Sequence, residues 1–447
     1  MRAAKRVAGA VGVDILDLSD GSEVYVYNGE KPFITASNTK LFTTAAALVR
    51  LGPGFYFETE VLARGQVGSH GWLDGDLAIV GSGDPNLSGR QYFGDAFGAF
   101  REWAAALAAH GVRGIRGDLV LVHGLFDDQR IHPSWPRDQL DRWYEAPIDA
   151  LSFNDNCLLV KVMPAGRSGA PARIESVPRL ERFPVRSSAT TVARVRAPLR
   201  FGRAIGATTI TVGGEISRRS RSVDRWVSVP DPVRYFGEAL RAALAEEGIA
   251  IGGRLRPVVH LPAATWWRVR VHRNGLLPTL EIINKRSQNF YAESLLKTLG
   301  AHLCGDGSWR GGLRAIAEVL AELGLEPGSY RMADGSGMSR NNRFSPRQIT
   351  RLLAAMEGHR WGDVYLRTLP VSGERGLSWQ KRLADAPYRG NVVAKTGTLR
   401  GVSALSGYAK GRSGRRYAFS ILLNRAPAHD RSVGAEDAIV RALIDHG

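Results

Sequence analysis

Strand-like runs stand at both ends of this chain, and about 200 residues of different texture separate them. That arrangement restricts the fold more than any other feature. Near the start, Val13-Asp14-Ile15-Leu16-Asp17-Leu18 and Val24-Tyr25-Val26-Tyr27 flank Asp20-Gly21, a pairing that predicts a β-hairpin. A helix is predicted over 37–50, with Leu41, Ala45, Leu48 and Val49 as its apolar stripe and Gly52 beyond its end. The far end mirrors this pattern, with strands over 391–396, 402–409 and 416–423 and then a helix over 435–446. Terminal strands that share one sheet make a single domain split by an insertion.

The middle, from about 62 to 265, holds short β-like runs bounded by Gly, Asp or Pro, such as Leu77-Ala78-Ile79-Val80 and Leu119-Val120-Leu121-Val122. A helix over 232–247 interrupts them, and helical periodicity returns over 280–303 and 313–323. The expected division is therefore 1–62 with 265–447 as one split domain. Residues 63–264 form the β-rich insertion, itself read as two nested modules, 63–150 with 226–264, and 151–225.

The chain carries 60 Lys plus Arg against 43 Asp plus Glu, a formal charge of +17. Arginines dominate that surplus and are dispersed. Short clusters such as Arg218-Arg219-Ser220-Arg221 and Arg412-Ser413-Gly414-Arg415-Arg416 sit between strand-like runs, without the stacking aromatics or dedicated helix of a nucleic-acid binder. No nucleic-acid partner is expected, although a basic surface suits any polyanion. No apolar run approaches the roughly 18 residues of a membrane-crossing helix, so contact with a membrane is at most peripheral. Cys157 and Cys304 cannot form a disulfide framework or zinc knuckle, the histidines show no His-x-His or His-Glu-x-x-His, and no phosphate loop is present. Neither metal nor cofactor is expected.

Lysine is scarce, with nine residues in the chain, so a lysine inside a motif is informative. Lys395-Thr396-Gly397 occurs once, at a predicted strand end running into Thr398. It offers an ammonium, two hydroxyls and a glycine that admits another backbone, features suited to an extended peptide and its carboxylate. Ser-x-x-Lys places a hydroxyl and an amine on one helix face, where an amine of lowered pKa can activate the serine. It occurs at Ser37/Lys40, Ser294/Lys297 and Ser378/Lys381, and Ser-x-Asn occurs at Ser152/Asn154, Ser287/Asn289 and Ser339/Asn341. Ser37 opens its predicted helix, where free N–H groups favour an oxyanion. Ser294 is mid-helix, and Ser378 lies in a polar stretch with no following helix, so both read as structural.

Ser37-x-x-Lys40, Ser287-Gln288-Asn289 and Lys395-Thr396-Gly397, in that order, resemble the three active-site motifs of penicillin-binding proteins and serine β-lactamases. The windows 36–47, 284–289, 334–337 and 395–399, with a gap of roughly 245 residues between the first two motifs, narrow the resemblance. They are similar to the D-alanyl-D-alanine carboxypeptidase/endopeptidase branch, the class C low-molecular-mass penicillin-binding proteins. Gly81-Ser82-Gly83-Asp84-Pro85 also resembles a loop of that branch's insertion.

The resemblance implies an α/β (α+β) catalytic domain with an antiparallel sheet flanked by helices and a large β-rich insertion. It implies a serine D-Ala-D-Ala carboxypeptidase, with possible endopeptidase action, working on peptidoglycan stem peptides through an acyl-enzyme and acylated by β-lactam antibiotics. Ser37 is then the nucleophile and Lys40 its base. Ser287 relays a proton to the departing D-alanine, and Asn289 holds the substrate amide. Lys395 supplies positive potential for the terminal carboxylate, the Thr396 and Thr398 hydroxyls hydrogen-bond it, and Gly397 belongs to the same substrate-binding motif. The N–H groups of Ser37 and Thr398 form the oxyanion hole, and Lys285 is a further possible member. Asp334 to Gly337 reads as a supporting turn. A β-lactamase or esterase on the same scaffold, and a vestigial cell-wall binding protein, are the alternatives. A cell-wall substrate implies a periplasmic or otherwise extracytoplasmic location. Yet the apolar run Val7 to Val13 is too short for a signal-peptide core and reads as the start of a strand. The expectation is thus a start upstream or a leader removed. Oligomeric state is not legible.

Overall fold

The computed structural model describes residues 1–447, the side chain of Ser378 excepted. The chain divides into two compact units, the first Met1–Phe55, His132–Ser134 and Gly275–Gly447, the second Tyr56–Ile131 and Trp135–Asn274. Within the first unit, Leu276 N–H donates to the Phe55 carbonyl at 3.0 Å. Apart from the short return at His132–Ser134, the chain therefore leaves the first unit and rejoins it at one place. This local closure lets a domain accept a long insertion without rearranging its own core.

The first unit contains α1 (Arg2–Val7), β1 (Ala10–Asp17), β2 (Glu23–Tyr27) and α2 (Thr39–Leu51). After the insertion come α3 (Leu276–Lys285), α4 (Asn289–Cys304), α5 (Trp309–Glu322), α6 (Pro346–Glu357) and α7 (Gly362–Thr368). Then follow β3 (Val392–Leu399), β4 (Val402–Lys410), β5 (Arg416–Asn424) and α8 (His429–His446). The strands form one antiparallel sheet in the order β2-β1-β5-β4-β3, with Val13 opposite Ile421 and Lys395 opposite Ser406. First and last segments of the sequence are hydrogen-bonded neighbours at its centre.

Strand alternation gives the sheet two different faces. Val13, Ile15, Leu405, Phe419 and Ile421 point to one side and pack with Ala435, Val440 and Ile444 of α8. The other side is more polar. Ser406 and Ser420 lie there, joined Oγ to Oγ at 2.9 Å, and the Tyr408 hydroxyl donates to the Leu353 carbonyl of α6 at 2.8 Å. Helices thus cover both faces, and α2 packs among α3, α4 and α5. Caps explain where several helices begin. Ser345 accepts from Gln348 N–H while the Gln348 side chain accepts in return, with Pro346 between them, and Ser308 accepts from Gly311 N–H at the start of α5.

The structure departs from the sequence expectations in four places. The periodic stretch over 280–303 is two helices, because the chain breaks at Ser287, whose φ is +56°. Helix α8 starts at His429 rather than 435, and Arg2–Val7 is helical, so β1 begins only at Ala10. In the second unit, Gly98–Ala109 is a helix not predicted by its sequence; Phe100, Trp103 and Leu107 form a stripe at helical spacing within an Ala-rich run.

That second unit has a five-stranded sheet built from 255–258, 119–122, 77–80, 56–63 and 267–275, in that order. The strands 77–80, 119–122 and 255–258 are parallel, and the helices Gly98–Ala109 and Pro232–Glu246 fall in the connections between them. Phe100, Trp103, Phe153 and Phe236 share its core. The stretch 157–228 is all β, including a three-stranded sheet of Cys157–Met163, Arg173–Val177 and Val223–Ser228.

Ile421 is fully buried on the central strand β5. Ile421→Ala is expected to lower the stability of the first unit by about 2–5 kcal/mol, read as an earlier urea midpoint with an unchanged m-value.

Candidate active site

Helix α2 is preceded by a 3-10 turn, Ala36–Asn38, in which Ala36 has a φ of +47°. A left-handed non-glycine residue is strained, and it persists only where its surroundings fix it. Here they do. Ile34 and Asn424 exchange hydrogen bonds, N–H to Oδ1 at 2.9 Å and Nδ2 to carbonyl at 3.0 Å, and Asn38 Nδ2 donates to Ser406 Oγ at 2.7 Å. The turn carrying Ser37 is therefore pinned to β4 and β5.

Two glycines allow other backbone to close on it. A methyl group on Gly397 would lie 2.7 Å from the Thr35 carbonyl and 3.1 Å from the Ser37 nitrogen. One on Gly337, whose φ is +82°, would lie 1.8 Å from the Ala36 carbonyl. A side chain at either position separates β3, or the 334–337 turn, from the serine.

Lys40, one helical turn after Ser37, is fully buried. Its Nζ lies 3.0 Å from Ser37 Oγ, 2.7 Å from Asn289 Oδ1 and 2.6 Å from the Ser336 carbonyl. The last two partners are acceptors only. When the amine is neutral, its two hydrogens satisfy those two oxygens and the lone pair is left facing the serine hydroxyl. Burial pushes the lysine down to about 7, against the pull of the Glu293 and Asp334 carboxylates. The amine can thus give up its proton near neutrality and take one from Ser37.

Ser287 and Asn289 reach the site because of the break between α3 and α4. Lys395 Nζ donates to Ser287 Oγ at 2.8 Å and to the Thr396 carbonyl at 3.0 Å. Burial, and secondarily the charge of Lys40, push Lys395 well below its ordinary value. The four candidates on β3 divide by pleat. Lys395 and Gly397 share the β3 face that meets the Ser37 turn, since Lys395 is opposite Ser406. Thr396 and Thr398 project to the other pleat, where with Lys381, Arg382, Ser403, His429 and Glu436 they line a cavity of about 470 Å³. Their backbones run along the edge strand of the sheet. Ala394 N–H donates outward to the Pro370 carbonyl, and the Val392 carbonyl accepts from Ser372 N–H, both away from β4. Period-two alternation then directs the Thr398 N–H away from β4, to the free edge of the sheet.

Lys285 stands apart. It pairs with Glu374 at 3.0 Å, and Glu374 accepts from Val371 N–H, so this lysine anchors the segment flanking β3. Asp334 is a supporting group. It accepts from Gly337 N–H and Asn342 Nδ2, each at 2.8 Å. Of the rival motifs, Ser294 is buried within α4 and Ser339 belongs to the loop after Asp334, while Ser152 and Asn154 lie in the second unit. The Ser378 hydroxyl lies outside the described side chains. Among the described residues no cluster of His, Cys, Asp and Glu is arranged to hold a metal ion.

Sequence reasoning missed two contributors, the Ser336 carbonyl and Glu293. The first carries no side-chain signal. The second had one, an acid within the otherwise apolar run Tyr291-Ala292-Glu293-Ser294-Leu295-Leu296.

A model of the D-Ala-D-Ala carboxypeptidase 3 (S13) family matches residues 3–444. The chain belongs to that family. Membership makes it a serine peptidase, and the resemblance to penicillin-binding proteins holds over nearly its whole length. It is 34% identical to a D-alanyl-D-alanine carboxypeptidase of Actinomadura sp. (strain R39), covering 98% of this chain and 82% of that one. It is 26% identical to the D-alanyl-D-alanine carboxypeptidase DacB of Haemophilus influenzae, over 93% and 85%. The crystal structure of penicillin binding protein 4 (dacB) from Haemophilus influenzae superimposes with a TM-score of 0.86 at 24% identity, covering 100% of this chain and 99% of that one. A second structure of that protein, complexed with a β-lactam, gives 0.79 at 23% over the same extents. At these identities the likeness is one of fold, and it agrees with an α/β domain carrying a β-rich insertion.

In this S13 chain, Gly337→Ala is expected to cost about 1–3 kcal/mol of stability, measured by thermal unfolding, and to slow serine acylation by displacing the Ala36–Asn38 turn.

Proposed function

We propose that this S13 peptidase removes the terminal D-alanine of peptidoglycan stem peptides through an acyl-enzyme on Ser37. The observation that carries the assignment is the buried Lys40 amine, 3.0 Å from Ser37 Oγ with its other two partners acceptors only. Lys40 takes the hydroxyl proton as Oγ attacks the penultimate D-alanine carbonyl, and the N–H groups of Ser37 and Thr398 receive the developing oxyanion. Ser287, hydrogen-bonded to Lys395, relays the proton that Lys40 took from Ser37 to the departing amine, so that D-alanine leaves neutral at nitrogen and Lys40 is neutral once more. Water then attacks the ester, Lys40 taking its proton and returning it to Ser37 Oγ as the acyl bond breaks, and the shortened peptide is released.

Lys395 supplies positive potential for the substrate's terminal carboxylate. That anion offsets the burial which otherwise drives the Lys395 proton off, and a charged Lys395 in turn disfavours charge on Lys40. Asn289 orients the substrate amide, with Thr396, Gly397 and Thr398 forming the strand edge beside it. A β-lactam acylates the same serine but keeps its leaving nitrogen tethered, which obstructs the water. Lys285 acts through Glu374 on the flank of β3. The dispersed positive charge suits an anionic wall outside the cytoplasmic membrane, and no helix among the described residues is long and apolar enough to cross a membrane.

Fluorescent penicillin is expected to label the wild-type protein and the Ser294→Ala and Ser378→Ala variants, and to leave Ser37→Ala unlabelled. Labelling that persists in Ser37→Ala overturns the assignment. Rapid loss of label from the wild type, with no release of D-alanine from a peptide ending in D-Ala-D-Ala, marks a β-lactamase instead.

The acylation rate is also expected to depend on pH in a defined sense. Lys40 acts as a base only when neutral, so the rate should rise as pH increases through about 7 and fall below it. Stopped-flow acylation between pH 5 and 9 reads this directly.

A further inference from the structure

Beneath Lys40 lies a second set of buried charges that the acylation chemistry does not itself consume. Glu293 of α4 is fully buried, as are Lys297 one turn later and Asp334 on the following turn. An acid in the middle of an apolar helix is costly to desolvate, and it is tolerated only where donors satisfy it. Glu293 has three. Its Oε2 accepts from Trp309 Nε1 at 2.7 Å and from Gly335 N–H at 3.0 Å, and its Oε1 accepts from Ser336 N–H at 2.7 Å. Three N–H donors call for a group that only accepts, the ionised carboxylate.

The contact with Ser336 links this acid to the site. Ser336 donates its N–H to Glu293, and its carbonyl accepts from Lys40 Nζ at 2.6 Å. The carboxylate therefore grips the residue that orients the amine. We propose that Glu293 is a positioning residue for acylation: it fixes the Gly335–Ser336 backbone that holds Lys40, and its charge sets how readily that amine takes the serine proton. The inference rests on the assignment of Ser37 and Lys40 above.

The charged and titratable groups facing Glu293 are Lys40 from α2, Lys297 from its own helix, and Asp334 from the 334–337 turn. Trp309 donates to it from α5 and covers Lys297, whose Nζ sits 4.2 Å from the indole. His132 lies beside the same group, its ring 5.2 Å from Trp309 and its charge influenced by Asp334 and Lys297. Burial first, and Asp334 next, push Glu293 up to about 7. Acid and amine therefore change charge over the same pH range. Protonating Glu293 removes both an acceptor from the turn and an anion from the vicinity of Lys40.

The test is the pH profile of penicillin acylation in Glu293→Gln and Trp309→Phe, with thermal unfolding as the check on folding. A glutamine must aim its amide N–H at one of the donors that the carboxylate satisfied. Glu293→Gln is expected to acylate about 10- to 100-fold more slowly, the scale of one charged hydrogen bond lost. The acid limb of its profile should move to lower pH, because Lys40 has lost an anion that favoured its ammonium. Trp309→Phe removes one donor, makes Glu293 easier to protonate, and should move the limb in the same direction by less. An unmoved limb in folded Glu293→Gln overturns the proposal, because a merely structural acid slows the reaction without changing its pH dependence. Where Glu293→Gln does not fold, Trp309→Phe decides, and an unmoved limb there overturns it equally. Failure of the underlying assignment shows separately, as labelling that survives Ser37→Ala.

Discussion

The first unit is organised around an amine that water does not reach. Lys40 is buried, and its partners come from three segments far apart in sequence: the 3-10 turn at Ser37, the start of α4 at Asn289, and the turn at Ser336. A lysine so placed is stable only if each segment holds its oxygen at hydrogen-bonding distance. Many other features serve that requirement, from the Asn38–Ser406 and Asn424–Ile34 bonds that anchor the turn to the sheet, to the left-handed residues Ala36 and Ser287. Strain at those two residues is the local cost of bringing three backbones to one nitrogen.

The topology makes that convergence possible. Because Phe55 and Leu276 are joined by a hydrogen bond, the excursion through the second unit closes on itself. Residues 1–55 and 275–447 then fold as though continuous, with β1 paired to β5 along eight residues of register. A sheet whose central strands come from opposite ends of the chain cannot form until both are present. The β3 edge, where the proposed substrate strand would add, is the last strand of that order.

Much of this was readable from residue order alone, and the failures have physical reasons. The terminal hairpin and closing strands were legible because their alternation is regular and Asp20-Gly21 supplies a turn, with Gly21 at a φ of +75°. The three motifs were legible because chemistry restricts side-chain type at fixed spacing. The break at Ser287 was not, since apolar periodicity runs through both α3 and α4 and the left-handed residue is a serine rather than a glycine. The alternation along Lys395-Thr396-Gly397-Thr398 was not legible in the motif alone: successive side chains of a strand face opposite ways, and Thr396 and Thr398 stand on the pleat away from Lys395. The arginine surplus, conspicuous in composition, forms surface ion pairs such as Arg50–Glu322 and Arg101 with Asp95, Glu246 and Glu247. Such pairs contribute little each.

The buried lysines behave in the opposite way, because burial withdraws them from the solvent that screens surface charges. Lys395 is held down by burial and by Lys40, so an empty site strongly disfavours two ammonium groups together. On the proposed assignment, the substrate resolves that conflict. Its carboxylate stabilises charge on Lys395, and the charge there discourages a proton on Lys40, leaving the amine neutral when a carboxylate-bearing peptide is in place. Glu293 opposes this from below, stabilising the Lys40 ammonium by its own charge. Placed between an anion below it and a cation across from it, Lys40 has a proton affinity that depends on what occupies β3's edge. A peptide lacking the terminal carboxylate would fill the same edge without shifting that balance, so recognition of the chain end and activation of the serine become one electrostatic event.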